Sequence, residues 1–217
     1  MFSRVKAVAT LIAASAVLAH PAAAQYRVHY GYYPGTPPMD PSVTVYGGYM
    51  NLGSYFNSTL GPTNGGDAGL IGAQITLPLS PNFALVANGA HANSNLLFPS
   101  LAGGQYGNSE VWLFDGDIQL GAPFRAYGGH WINPFLQFGA GAMQYQAQFY
   151  QTNNTIGSVS STNFTFNVGG GLDYFFTRTF GLRFLAKDYI GSYQYYGYYG
   201  RRYTDNWSIS GGLLFGL

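Results

Sequence analysis

The segment NWSISGGLLFGL, residues 206–217, alternates to its last residue. Trp207, Ile209, Gly211, Leu213, Phe215 and Leu217 are apolar or Gly. Asn206, Ser208, Ser210, Gly212 and Gly216, between them, are polar or tiny, and Leu214 is the exception. A period of two is that of a β-strand, whose successive side chains point to opposite faces. Chain ends are ordinarily loose and polar. An end that stops on an apolar residue in mid-pattern reads as a strand held in a sheet.

Composition narrows the kind of sheet. Of 217 residues, 8% are charged, where soluble domains carry about 25%. Lysine occurs only at positions 6 and 187 and glutamate only at 110, whereas the chain has 31 glycines, 19 tyrosines and 16 phenylalanines. Strand formers are common and charged helix formers nearly missing. Cysteine is absent, which excludes disulfides and thiolate metal sites. A net charge of +1 gives no electrostatic case for nucleic acid.

The first segment has the anatomy of a secretory signal peptide. Arg4 and Lys6 precede an apolar run from Ala7 to Ala19, and Ala22-Ala23-Ala24 makes a small-residue cleavage site before Gln25. The run is too short for a spanning helix, which needs about 20 residues. Residues 1–24 are therefore assigned to a signal peptide and residues 25–41, rich in Tyr and Pro, to an extended periplasmic linker. Residues 42–217 remain for the folded domain.

Period-two segments recur from Ser42 onward, separated by Gly, Asn, Ser and Pro clusters. Eight are read, marked by Val43–Tyr49, Ile71–Leu77, Phe83–Ala87, Trp112–Leu120, Ile132–Ala140, Phe164–Leu172, Phe180–Ala186 and the opening segment. The phase of the third is poorly defined. Each has the length of about ten residues that crosses a bilayer when tilted. The connections at 79–82 and 175–180 are short, that at 125–130 is intermediate, and those at 52–66, 93–109, 145–161 and 191–204 are long. The expected fold is all-β: an eight-stranded antiparallel up-and-down transmembrane β-barrel, short turns in the periplasm and long loops outside. A soluble barrel of the lipocalin sort is the rival. It would carry Lys and Glu on its outer face; here one face of nearly every strand is apolar or Gly.

Eight strands enclose only enough space for side chains, so a packed polar core is expected rather than a pore. Asp115, Asp117, Asp173, Arg183 and Lys187 fall on the inward face, with Asp173 opposite Arg183 if the hairpin centres on Arg178. These charges read as salt bridges that fix register, in preference to a proton or ion path. Asp188 is out of phase with them, at a bulge or at the rim. Strand glycines such as Gly169, Gly170 and Gly171 make room for large neighbours or for curvature. In the last long loop, Tyr196, Tyr198, Tyr199, Arg201 and Arg202 are candidate surface contacts for a partner, ligand or lipopolysaccharide phosphate. No metal-ligand spacing or phosphate-binding loop appears, so no metal and no cofactor is expected.

GGGLDYFFTRTFGLRFLAKDYIGS (169–192), followed after a polar loop by NWSISGGLLFGL, resembles the last three strands of the bacterial outer-membrane β-barrel domain family, the eight-stranded OmpA-like barrels. The match covers residues 164–217 well; earlier strands agree only in length and alternation. The chain stops at the last strand, so the peptidoglycan-binding domain of two-domain relatives is not expected. The resemblance implies a non-enzymatic outer-membrane protein, a monomer in lipid and lipopolysaccharide, with roles in envelope integrity and surface contact. It also implies a C-terminal signal for the β-barrel assembly machinery, carried by Ser210, Gly212, Phe215 and Leu217, with Leu217 where Phe is usual. The alternative is a membrane-embedded lipid A deacylase with His91 as base. Such enzymes use His-x-Ser-Asn, whereas Asn93 stands two residues after His91 and Ser94 three.

Overall fold

The computed structural model describes residues 37–58, 61–97, 105–126, 128–150, 156–193 and 202–217. The expected signal peptide and most of the expected linker lie outside the described residues. The strands are β1 (Ser42–Asn51), β2 (Ser54–Ser58), β3 (Gly61–Gly65), β4 (Asp67–Ser80), β5 (Phe83–Leu97), β6 (Gln105–Gly121), β7 (Phe124–Arg125), β8 (Trp131–Tyr150), β9 (Ile156–Phe175), β10 (Phe180–Tyr193) and β11 (Arg202–Gly216). Eight of them form a closed antiparallel barrel. β1 pairs with β4, then the order runs β5, β6, β8, β9, β10 and β11, and β11 returns to β1. Closure leaves no sheet edge, which lipid requires because it offers the backbone no hydrogen bonds.

The last strand closes the ring along the full length of β1. Ser42 pairs with Gly216 and Asn51 with Trp207. Beyond the ladder, the Leu217 N–H donates to the Pro41 carbonyl at 2.8 Å. Ile209, Leu213, Phe215 and Leu217 point outward. Leu214, the break in the alternation, is in phase with the inward set and is buried at the barrel's short-turn end.

The outer wall is apolar. Ile71, Leu79, Phe164 and Phe166 are each at least 60% exposed, and Phe114, Phe138, Phe184 and Ile209 are exposed to a lesser degree. A contiguous apolar surface of this kind needs an apolar solvent. Aromatic rings gather toward its two ends. Tyr49 packs on Trp207 and His91 on Trp112 at one; Tyr174, Phe176, Phe180 and Phe215 form a chain of ring contacts at the other. Girdles at both interfaces are the mark of a membrane barrel.

Three short connections cap the inner end. Thr177 Oγ1 accepts from the N–H groups of Thr179 and Phe180, tightening the β9–β10 turn. The intermediate connection is a small hairpin. β7 pairs with the start of β8, and Gly128 and Gly129 take φ of 88° and 87°, values that a residue with a Cβ resists. Pro134 is tolerated inside β8 because its carbonyl accepts from Ala122, so its nitrogen faces the side where pairing with β6 has ended.

Two expectations are corrected. The eight barrel strands are 10 to 20 residues long rather than about ten, and β8 and β9 stay paired from Trp131↔Phe175 to Tyr150↔Ile156. Much of the predicted 145–161 loop is therefore strand, and 52–66 contains the β2–β3 hairpin. Twenty residues rise roughly 65 Å, far more than a tilted strand needs to cross a bilayer. Outside lipid nothing enforces apolar alternation, while an existing ladder still templates backbone pairing. Of the two alternatives for Asp188, the bulge is excluded and the rim is not: it sits in an unbroken register, opposite Trp207 and Val168, and faces outward.

The third correction concerns the interior, which is polar only in its inner half. Toward the outer end Tyr46, Met50, Leu52, Leu70, Val111, Leu113, Met143 and Tyr145 form an apolar cluster. Here both faces of a strand are apolar, as in Val111-Trp112-Leu113-Phe114. That erases the alternation and makes the interior illegible from one strand alone.

Candidate functional site

The inner half of the lumen holds a charge network built on missing side chains. Inward positions of β8 and β9 include Gly139, Gly141, Gly169 and Gly171. A Cβ on Gly139 would collide with the Asp117 carboxylate, and one on Gly141 with Asp115. One on Gly169 would meet the Lys187 stem, and one on Gly171 the Phe135 ring. Asp117, from β6, thus leans over β8, while Lys187, from β10, leans over β9. The two meet across the wall that these glycines leave bare.

Lys187 Nζ donates to Asp115 Oδ1 and to Asp117 Oδ2, both at 2.6 Å, and stands 5.4 Å from the Tyr189 ring centroid. Asp115 Oδ2 accepts from Asn88 Nδ2, and Asn88 Oδ1 accepts from Tyr46, each at 2.7 Å. This chain ties β10, β6, β5 and β1 together at one level.

Below it the register sets Arg183 opposite Asp173. Arg183 Nε and Nη2 donate to the two carboxylate oxygens at 2.7 and 2.8 Å, a bidentate pair. Nη1 reaches Gln74 and Thr76, at 3.0 and 3.1 Å, and Nη2 also reaches Gln119 at 3.2 Å. All five N–H groups of the guanidinium are engaged, and its plane lies 4.8 Å over the Phe135 ring. Arg183, Lys187, Asp173 and Asp117 are each 2–4% exposed and Asp115 7%. A charge so buried is costly unless paired and hydrogen-bonded. Asp115, Asp117, Asp173, Arg183 and Lys187 therefore gather in two groups, Lys187 with Asp115 and Asp117, and Arg183 with Asp173.

Sequence reasoning missed the neutral members. Gln74, Thr76, Asn88, Gln119 and Gln137 come from four strands, and their inward phase was the only signal. At the short-turn end a cavity of about 50 Å³ opens to Gln119, Asn133, Asp173 and Arg183, with Asp40 and Arg178 at its rim.

The remaining candidates are dispersed. Ser210 and Gly212 face inward and Phe215 and Leu217 outward on β11. Tyr196, Tyr198, Tyr199 and Arg201 lie outside the described residues. Arg202 opens β11 opposite Tyr193, with its side chain outside the description. His91 faces outward against the Trp112 ring at 4.5 Å, and its Nε2 is 4.0 Å from Glu110. Ser94 points into the lumen and is 4% exposed, so these two side chains are on opposite sides of the wall.

The geometry has counterparts among solved structures. Neisserial surface protein A (NspA) aligns over 82% of this chain and 97% of its own, with a TM-score of 0.56 at 11% identity. The outer-membrane protein OprG of Pseudomonas aeruginosa aligns over 83% and 98%, with a TM-score of 0.58 at 10% identity. The fold is that of the eight-stranded outer-membrane barrels. No protein-family model matches the sequence, and no curated protein is significantly similar to it. At such low identity the likeness is one of fold.

Proposed function

We propose that this chain is an integral outer-membrane β-barrel with a structural and surface-display role, neither a diffusion pore nor an enzyme. The observation that carries this reading is the plugged lumen. The charge network fills the inner half, and Met50, Leu52, Val111, Leu113 and Met143, each at most 2% exposed, fill the outer half. Placement in the outer membrane is supported by the apolar wall, its aromatic ends and the two solved neighbours, one of them named a surface protein. Long paired hairpins such as β8–β9 would carry the intervening segments clear of the lipid for contact with a partner or with lipopolysaccharide. Assembly would proceed through the β-barrel machinery reading Ser210, Gly212, Phe215 and Leu217, and the folded protein would act as a monomer.

The test is flux. Liposomes holding the purified protein should admit small sugars no faster than protein-free liposomes. Discrete conductance steps in a planar bilayer would overturn the reading. Deleting residues 195–202 should leave folding intact and reduce any surface binding the protein confers.

A further inference from the structure

The inward-facing charges do not balance. Among the described residues, three carboxylates (Asp115, Asp117 and Asp173) and two cations (Arg183 and Lys187) point into the lumen. Asp173 and Arg183 neutralise each other, which leaves Lys187 between two carboxylates with one negative charge in excess. An unbalanced charge in a water-poor interior is strongly unfavourable even after relaxation.

Unpartnered oxygens mark where that charge is offset. Both Asp115 oxygens and Asp117 Oδ2 accept hydrogen bonds, but Asp117 Oδ1 has no partner among the described residues. Asn167 Oδ1 and Gln137 Oε1 are also buried without a partner, in residues 5% and 0% exposed. The register sets the three residues on neighbouring inward positions of β6, β8 and β9. Gly139 pairs with Asp117 on one side and Asn167 on the other, and Gln137 lies two residues along the same inward face. Asp117 Oδ1 occupies the place a Gly139 Cβ would take, so it has already crossed one strand toward Asn167. The Gln137 amide N–H donates to Gln119 at 3.0 Å, which leaves its carbonyl oxygen free for the interior. Asn167 Nδ2 is unpartnered as well, so the whole Asn167 amide is unsatisfied among the described residues; Thr44 Oγ1 and Gln74 Nε2 lie on β1 and β4, and Asn133 Oδ1 lies four residues from Gln137 toward the short-turn end of β8.

We propose that Asp117 Oδ1, Gln137 Oε1 and Asn167 Oδ1 form a site for a monovalent alkali cation such as sodium. One carboxylate and two amide oxygens are hard ligands of the kind hard cations take. A single positive charge cancels the excess, whereas a divalent ion would reverse it. The cavity at the short-turn end reaches as far as Gln119, the hydrogen-bond partner of Gln137. The cation would lock β6, β8 and β9 together where glycines have thinned the wall.

The test is thermal unfolding of the full-length barrel in zwitterionic detergent at fixed pH and ionic strength, with sodium chloride titrated against N-methylglucamine chloride. The expected result is a saturable rise in the midpoint with sodium. At a sodium concentration 100 times the dissociation constant, the folded-to-unfolded ratio should rise about a hundredfold. Asn167→Leu and Gln137→Leu, which remove a ligand without exposing a charge, should weaken the dependence, as should Asp117→Asn. Asp67→Asn, at an exposed carboxylate outside the lumen, should leave it intact. Equal midpoints in the two salts would overturn the proposal. So would a midpoint insensitive to sodium that falls as pH is raised, which would assign the missing positive charge to a proton. If Asp117→Asn does not fold, sodium-23 line broadening by the wild-type barrel and its loss in Asn167→Leu decide the question.

Discussion

The Asp173–Arg183 pair is the most exacting check on the lumen. Replacing Asp173 by Ala removes both strong hydrogen bonds, at 2.7 and 2.8 Å, and strands a guanidinium that is 2% exposed. Gln74, Thr76 and Gln119 would still hold it but carry no charge to offset it. Breaking one side of a buried pair costs about 3–5 kcal/mol. For a domain of this size each kcal/mol is roughly 2–4 °C, so the unfolding midpoint should fall by about 10 °C. The sign is expected to recover in the double variant Asp173→Leu with Arg183→Leu, because well-packed apolar residues often replace a buried pair at little cost. The assay is the temperature at which the heat-modifiable folded band is lost on a detergent gel, confirmed by urea unfolding in lipid vesicles. A shift in Asp173→Ala below about 0.5 kcal/mol, the usual range of an inconsequential surface change, would refute the reasoning.

Gly139→Ala should push Asp117 off Lys187 and destabilise by about 1–3 kcal/mol, an overpacking cost, read in the same urea assay. Gly116→Ala, where an added Cβ meets nothing within 4 Å, should be near neutral in parallel. Phe138→Arg, on the outward face, should cost about 2–4 kcal/mol in vesicles if that face is in lipid, while a soluble barrel would tolerate it. A short acidic tail added after Leu217 should lower the yield of heat-modifiable barrel in cell envelopes; unchanged insertion would count against recognition of the last strand. His91→Ala should leave lipid A composition unaltered, checked by mass spectrometry of extracted lipid. Its imidazole and the Ser94 hydroxyl are on opposite sides of the wall.

The outer face of this protein is written residue by residue in its sequence. Lipid surrounds every strand alike, so each must alternate on its own account, and Ile209, Leu213 and Phe215 announce their exposure without reference to any neighbour. The inward phase of Asp115, Asp117, Asp173, Arg183 and Lys187 follows from the same period. Local hairpin geometry sufficed to set Asp173 against Arg183, because only a short turn separates their strands. What lies between distant strands was not legible. That Lys187 spans Asp115 and Asp117 depends on β8 and β9, which separate those residues around the ring and contribute glycines where side chains would block the reach. The apolar outer half of the lumen was hidden because Leu113 and Trp112 look alike in sequence while facing opposite environments. Strand ends were hidden because pairing outside the bilayer rests on the backbone alone. Period and solvent belong to a single strand and can be read from it; register around a closed ring is a property of eight strands together and exists only once they have closed.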